Sequence, residues 1–171
     1  MGSRWRRRFG VAAAALVLGS CAGPRVELEH GVFRAPRLFR VTVPGPEWTV
    51  ERASETELAL RHGPTRAGLF ANAECGDEPA RRDLALLAQR LFIGLRGREV
   101  LENGTATLGG APAVHAVMEA HVTGEDERMR LEAYVTKDAR CVYDLVYVAP
   151  TAVFDERRPD FGRFVESFAK E

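Results

Sequence analysis

The 171 residues predict an α+β fold, an antiparallel sheet of about six to eight strands with two main helices packed on it. Three observations carry this expectation. Short alternating runs punctuated by Gly, Pro, Asn and Asp fill most of the chain after residue 37, the pattern of half-buried strands joined by turns. Two other segments repeat their apolar residues every three or four positions, as a helix with one buried stripe does. The late strands carry apolar side chains on both parities, so a sheet built from them needs cover on both faces.

Taken in order, Leu38 to Val43 alternates Phe39, Val41 and Val43 with Arg40 and Thr42, and Pro44-Gly45-Pro46 ends it. Strands follow around Trp48 to Arg52, Glu57 to Arg61 and Ala67 to Ala73, spaced like an antiparallel meander. The period then changes. Leu84, Leu87, Leu91 and Leu95, with Ala88 and Phe92 beside them, form one stripe along a helix of about four turns. Asp77 or Asp83 caps its start, Glu78 suits its positive end, Arg96 and Arg98 its negative end, and Gly97 stops it. Asn103-Gly104 has two-residue hairpin chemistry and Gly109-Gly110 offers another reversal. Strands are therefore expected at Glu99 to Leu101, Thr105 to Leu108, Ala113 to Val122, Arg128 to Thr136 and Arg140 to Val148. Phe161, Phe164, Val165 and Phe168 then fall at helical spacing, with Pro159 placed for the first turn of a closing helix.

The N-terminus sets the expected compartment. Arg4, Arg6, Arg7 and Arg8 precede an apolar run from Phe9 to Leu18, and Leu18-Gly19-Ser20-Cys21 has the grammar of a bacterial lipoprotein processing site. Ten apolar residues are too few to span a bilayer, which takes about 20. Residues 1–20 are thus expected to be a cleaved signal peptide, residues 21–37 a lipidated Cys21 with a tether, and residues 38–171 one domain. Acyl chains on Cys21, including palmitate, replace the lost helix as the anchor. Ala22 after the lipidated position points to the outer membrane, facing the periplasm. The chain carries 24 basic and 24 acidic residues, and the four basic ones before Cys21 leave a mildly acidic mature protein with no basic stripe. That excludes nucleic acid as an expected partner.

In an oxidising compartment the two remaining thiols, Cys75 and Cys141, are expected to pair across 66 residues, two buried free thiols being the alternative. The search for catalytic chemistry comes out empty. After Cys21 the only serines are Ser54 and Ser167, neither in a glycine-flanked elbow, and no glycine run precedes a helix as a phosphate cradle. His115, Glu119 and His121 share a face of one strand. His115 and His121 lie about 20 Å apart along it, too far to share an ion, so no metal site and no cofactor are expected. Asp144, inside an apolar strand, needs solvent or a partner, for which Arg130 is the nearest choice. Trp48, Tyr134, Tyr143 and Tyr147 read as core aromatics before they read as groove walls.

Phe39-Arg40-Val41-Thr42-Val43-Pro44 followed by Trp48, the leucine helix, Leu108-Gly109-Gly110-Ala111-Pro112-Ala113, Ala133-Tyr134-Val135 and the Phe161 to Phe168 ending together resemble the PsbP-like family over about residues 36 to 169. That resemblance implies an αβα sandwich around an antiparallel sheet and a role in binding or assembly. It transfers no functional residues. The expected function is a membrane-anchored, non-catalytic envelope lipoprotein that binds or assembles a protein partner. The alternatives are a binder of a small molecule or lipid in a cleft between sheet and helix, and an unrecognised hydrolase.

Overall fold

The computed structural model describes residues 28–77 and 81–171; the segment expected to be a signal peptide, Cys21 and Glu78 lie outside them. Among the described residues the chain forms β1 (Val32–Ala35), β2 (Phe39–Thr42), β3 (Trp48–Ala53), β4 (Glu57–His62), β5 (Ala67–Cys75), α1 (Leu84–Arg90), β6 (Arg96–Leu108), β7 (Ala111–His121), β8 (Arg128–Lys137), β9 (Cys141–Pro150), a 3-10 turn at Thr151–Val153, α2 (Phe154–Glu166) and β10 (Ala169–Lys170). Seven strands make one antiparallel sheet in the order β3-β4-β5-β9-β8-β7-β6, and β1, β2 and β10 make a second, small sheet. No described helix is long and apolar enough to cross a membrane.

The main core fills the space between the large sheet, α2 and the small sheet. Phe33, Phe39 and Val41 come down from the small sheet, Phe161, Phe164 and Phe168 from α2 and its end, and Leu69, Tyr143, Leu145 and Tyr147 rise from β5 and β9. Their rings meet edge to face or tilted at 5.7 to 6.3 Å, the offset geometry that the ring quadrupole favours. The opposite face of the sheet has a smaller core of Ala116, Met118, Ala120, Met129, Leu131 and Ala133, covered by Phe92 and by α1. The α+β class and the three-layer plan are as the sequence predicts, with the small sheet sharing the α2 layer.

Several elements differ from expectation, each for a local reason. β1 lies inside the segment read as tether: Val32-Phe33-Arg34-Ala35 alternates, but Gly31 and Pro36 at its ends hide so short a strand, and its pairing partner β2 buries Phe33 and Ala35. Asn103-Gly104 makes no hairpin. β6 runs through it, with Asn103 opposite Ala116 and Gly104 opposite His115. The chain turns instead at Gly109-Gly110, where φ is +55 and +77°, as a type I′ turn requires at both positions. A Cβ at Gly109 would also sit 2.9 Å from the Phe168 ring, so the turn and the main core select glycine together.

The leucine helix is shorter than its stripe. Asp83 caps α1 by accepting from the Ala85 and Leu86 amides at 2.9 and 3.2 Å. The helix gives way to a tight turn at Leu91, with Gly94 at φ +92° reversing the chain, so Leu95, Arg96, Gly97 and Arg98 leave the helix and lead into β6. Pro159 sits inside α2 and not at its first turn, because the helix starts earlier, at Phe154, behind the 3-10 turn. The registers of β7, β8 and β9 are continuous. At the β8–β9 turn, Asp138 accepts from the Arg140 and Cys141 amides at 2.7 and 2.9 Å and from the Tyr143 hydroxyl at 2.8 Å. Burial pushes the Asp138 carboxyl up, yet those three donors together hold it below the usual carboxylate range.

Cys75 and Cys141 stand opposite each other on β5 and β9 and form a disulfide. It closes a loop of 66 residues, for which chain entropy gives roughly 4 kcal/mol.

Candidate functional site

The sheet is covered unequally, and that places the site. α1 spans Leu84–Arg90, seven residues, and lies across β7 and β8. It leaves β6 and the outer half of β7 uncovered on the same face. Between them is an open groove of about 640 Å3. Its wall is Ala85, Ala88 and Phe92; its floor is Val114, Ala116 and Met118 of β7; its far side is Val100, Asn103 and Thr105 of β6. Gln89 and Arg98 stand at the rim. The volume falls within the roughly 300–1,000 Å3 of small-molecule sites, and the lining is mostly apolar with few polar groups, as such sites are.

β6 shapes this groove through its irregularities. One extra residue is accommodated between Arg96 and Glu99, and a second, Leu101, between Val100 and Glu102. A bulge shifts the side-chain alternation. Val100 therefore faces the groove opposite Met118, while Glu102, two residues on, falls opposite Val117 on the α2 face. Glu99 lies on that α2 face as well, where it accepts from Arg128 at 3.2 Å. Both acids of β6 are thus turned away from the groove. Arg98 remains on the groove side, with one nitrogen 3.5 Å from the Phe92 carbonyl. Of the apolar lining, Val100 is 61% exposed.

The histidine and carboxylate residues singled out in the sequence go to the other face, and there they are structural. His115 meets buried Glu132 at 2.9 Å and stacks on Tyr134 with ring centroids 4.6 Å apart. Arg158 of α2 reaches the same carboxylate at 2.8 Å. Burial raises the Glu132 carboxyl, but the hydrogen bonds from His115 and Arg158 outweigh it and the net shift is downward. Glu119 takes both Nε and Nη2 of Arg130, at 3.0 and 2.8 Å, and Arg130 and Arg158 each lie over the Phe154 ring. This network fastens α2 to β7 and β8 with every oxygen of Glu132 engaged. His121 stays exposed at the strand end, away from His115. Among the described residues no three His, Cys, Asp or Glu are placed to hold a metal ion.

Asp144 does not pair with Arg130. The β8–β9 register puts it opposite Val135 and, on β5, opposite Asn72, whose amide donates to it at 3.3 Å. It lies in a second hollow on the α1 face, beside Phe70, Leu91, Leu131 and Val146. Burial pushes its carboxyl up to about 6, with Glu74 and Glu57 adding to the rise and Asn72 opposing it. Tyr143 and Tyr147 are core residues, and the Tyr147 hydroxyl donates to the Phe154 carbonyl at 2.7 Å. Trp48 is buried and donates to Asp160 of α2 at 3.0 Å. Ser167 accepts from the Thr42 amide and donates to the Phe164 carbonyl, which ties α2 to β2.

Sequence reasoning missed the groove residues. Val100, Val114, Ala116 and Met118 read as ordinary strand positions, and the one signal available was that the leucine stripe outruns what Gly94 allows the helix to be.

No protein-family model matches the chain, and no curated protein matches it in sequence. Solved structures match its fold. The solution structure of cyanobacterial PsbP from Synechocystis is 14% identical at a TM-score of 0.60, over 90% of this chain and 99% of that one. Mycobacterium tuberculosis LpqN, described as involved in cell envelope biogenesis, is 16% identical at 0.56, over 78% of this chain and 84% of that one. A Bacteroides thetaiotaomicron protein is 7% identical at 0.55, and this chain spans only 45% of it. The fold is therefore PsbP-like.

The shifted Asp144 yields a test with a definite sign. Its folded pKa, about 6, lies above the unfolded value near 3.9, so the folded state holds the proton more tightly. Ionisation costs stability as the pH rises from about 4 through 6, and below pH 4 the cost is absent. Asp144→Asn is expected to raise the unfolding free energy by roughly 3 kcal/mol at pH 7.5 and by little at pH 4, read by urea denaturation at both pH values. An equal effect at both would show that Asp144 ionises as it does in water.

Proposed function

We propose that the protein is a non-catalytic binding protein of the bacterial envelope, anchored by acyl chains on Cys21, whose ligand is an apolar chain laid in the groove between α1 and β6–β7. The groove itself carries the reading: about 640 Å3 of mostly apolar, open space built on a rigid sheet. It reverses the order of the two expected binding roles, because a groove between sheet and helix lined mostly by apolar side chains suits a small molecule or lipid. The carboxyls with shifted pKa values, Glu132, Asp138 and Asp144, support a non-catalytic role. They are partnered by His115 and Arg158, by the β8–β9 turn and by Asn72. None shares a cleft with a serine or a free thiol. The envelope assignment is supported by the lipoprotein-like leader, and LpqN offers a structural neighbour associated with envelope biogenesis.

A protein partner is the second reading, favoured by the edge of the large sheet. β6 is a 13-residue edge strand, and Val100 and Leu101 on it are exposed. Such an edge can accept an extended segment by strand addition.

Two experiments test the proposal. In calorimetric titration with 1-alkanols from hexanol to decanol, affinity is expected to rise about fourfold per added methylene, the factor for roughly 0.8 kcal/mol of buried CH2. Thr105→Trp, which puts an indole into the groove from an exposed position, is expected to abolish binding, while Thr49→Trp on the far edge strand leaves it unchanged. Affinity that ignores chain length or survives Thr105→Trp would remove the groove from the account. For the anchor, mass spectrometry of natively expressed protein is expected to show a diacylglyceryl-modified cysteine at position 21 as the new N-terminus. An unmodified thiol there, or an intact leader, would remove the lipid anchor.

A further inference from the structure

The charge of the groove says more than its apolarity does. Among the described residues Arg98 is its one charged lining residue, and no carboxylate lines it. The neighbouring hollows are different. The one beside the disulfide holds Glu55 and Asp77 with Arg37 and Arg140, the one around Asp144 adds Glu57, and the one beside Ile93 presents Glu74 and Asp144 with Arg90. Acids also abound in β6 itself, yet the extra residue at Leu101 rotates Glu102 to the opposite face, and Glu99 is there too, engaged with Arg128. Regular pairing through Leu101, with no bulge, would put Glu102 on the same face as Val100, in the groove. The irregularity ahead of Glu99 leaves Arg98 on the groove side. Its guanidinium makes one long bond to the Phe92 carbonyl and no ion pair is found for it among the described residues, so its donors are available.

We infer that the groove selects a single-chain amphiphile with an anionic head, the acyl chain on Ala88, Phe92, Val114, Ala116 and Met118 and the head on Arg98. This rests on the groove reading above and adds the charge of the ligand. A guanidinium offers a carboxylate or phosphate paired donors in a planar fork, and beside an apolar wall such a bond is stronger than in open water. Gln89, Asn103 and Thr105 supply uncharged polar atoms around the same mouth and repel no anion. A cationic head would meet Arg98 with no acid to offset it.

The test compares decanoate, decanol and decyltrimethylammonium by calorimetric titration, below their micelle concentrations and at low salt, on the whole protein with its disulfide intact. Arg98→Gln is expected to weaken decanoate about tenfold while leaving decanol within twofold. The decanoate advantage is expected to shrink as salt rises, because Arg98 is exposed and screened. Arg98→Glu is expected to reverse the preference, binding decyltrimethylammonium more tightly than decanoate. If Arg98→Gln weakens decanol and decanoate equally, or neither, the anionic specificity is wrong while chain-length-dependent decanol binding keeps the groove. If decanol does not bind the unaltered protein, the groove reading itself has failed.

Discussion

The structure depends on one constraint: a seven-stranded sheet that is apolar on both faces must be covered twice by a chain with little helix. β9 shows the problem in one strand. Tyr143, Leu145 and Tyr147 project to one side, Val142, Val146 and Val148 to the other. The first side is covered across β5, β9 and β8 by thirteen residues of α2 and by the small sheet, and it is fixed by ring contacts, by the Trp48–Asp160 bond and by the His115–Glu132–Arg158 cluster. The second side receives two turns of helix. A groove and a polar hollow remain where that short helix stops.

This asymmetry separates stability from binding. The α2 side carries the large aromatics and the buried ionic cluster, where removal of a partner leaves an uncompensated polar group in low dielectric. The α1 side carries small residues, alanines and methionines, with open space between them. Proteins place ligand sites where packing is incomplete but the supporting element is rigid, and here the support is the continuous register of β7, β8 and β9. The disulfide at the start of β9 tightens the same support from its far end.

Much of this was legible in the sequence, and the failures have physical causes. Alternation and turn residues located β2 to β5 and β7 to β9 to within a few residues, and the apolar residues on both parities of β9 marked a strand covered on both faces. Alternation failed at β6, where Asn103-Gly104 satisfies the local chemistry of a hairpin but the ladder to β7 continues through it, giving more pairing than a turn there would. It failed at β1, whose four residues between Gly31 and Pro36 are stabilised by β2 and not by their own propensity. The leucine stripe identified the face of α1 correctly and its length incorrectly, since Leu91 and Leu95 reach the sheet from a turn as well as from a helix. The disulfide was readable from cysteine parity taken together with the oxidising compartment expected from the leader. The groove was not, because it is made by the absence of cover and by a bulge that turns Glu102 away, and neither leaves a residue pattern.

The most direct measurement uses the two methionines of the α1-side core. Met118 lines the groove, whereas Met129 is buried in the same apolar cluster outside the groove lining. In protein labelled with 13C at its methionine methyls and saturated with an aliphatic ligand, nuclear Overhauser cross-peaks from the ligand chain are expected on Met118 and not on Met129. A saturated complex with no cross-peak to Met118 would mean that the uncovered face of the sheet is not where this protein binds.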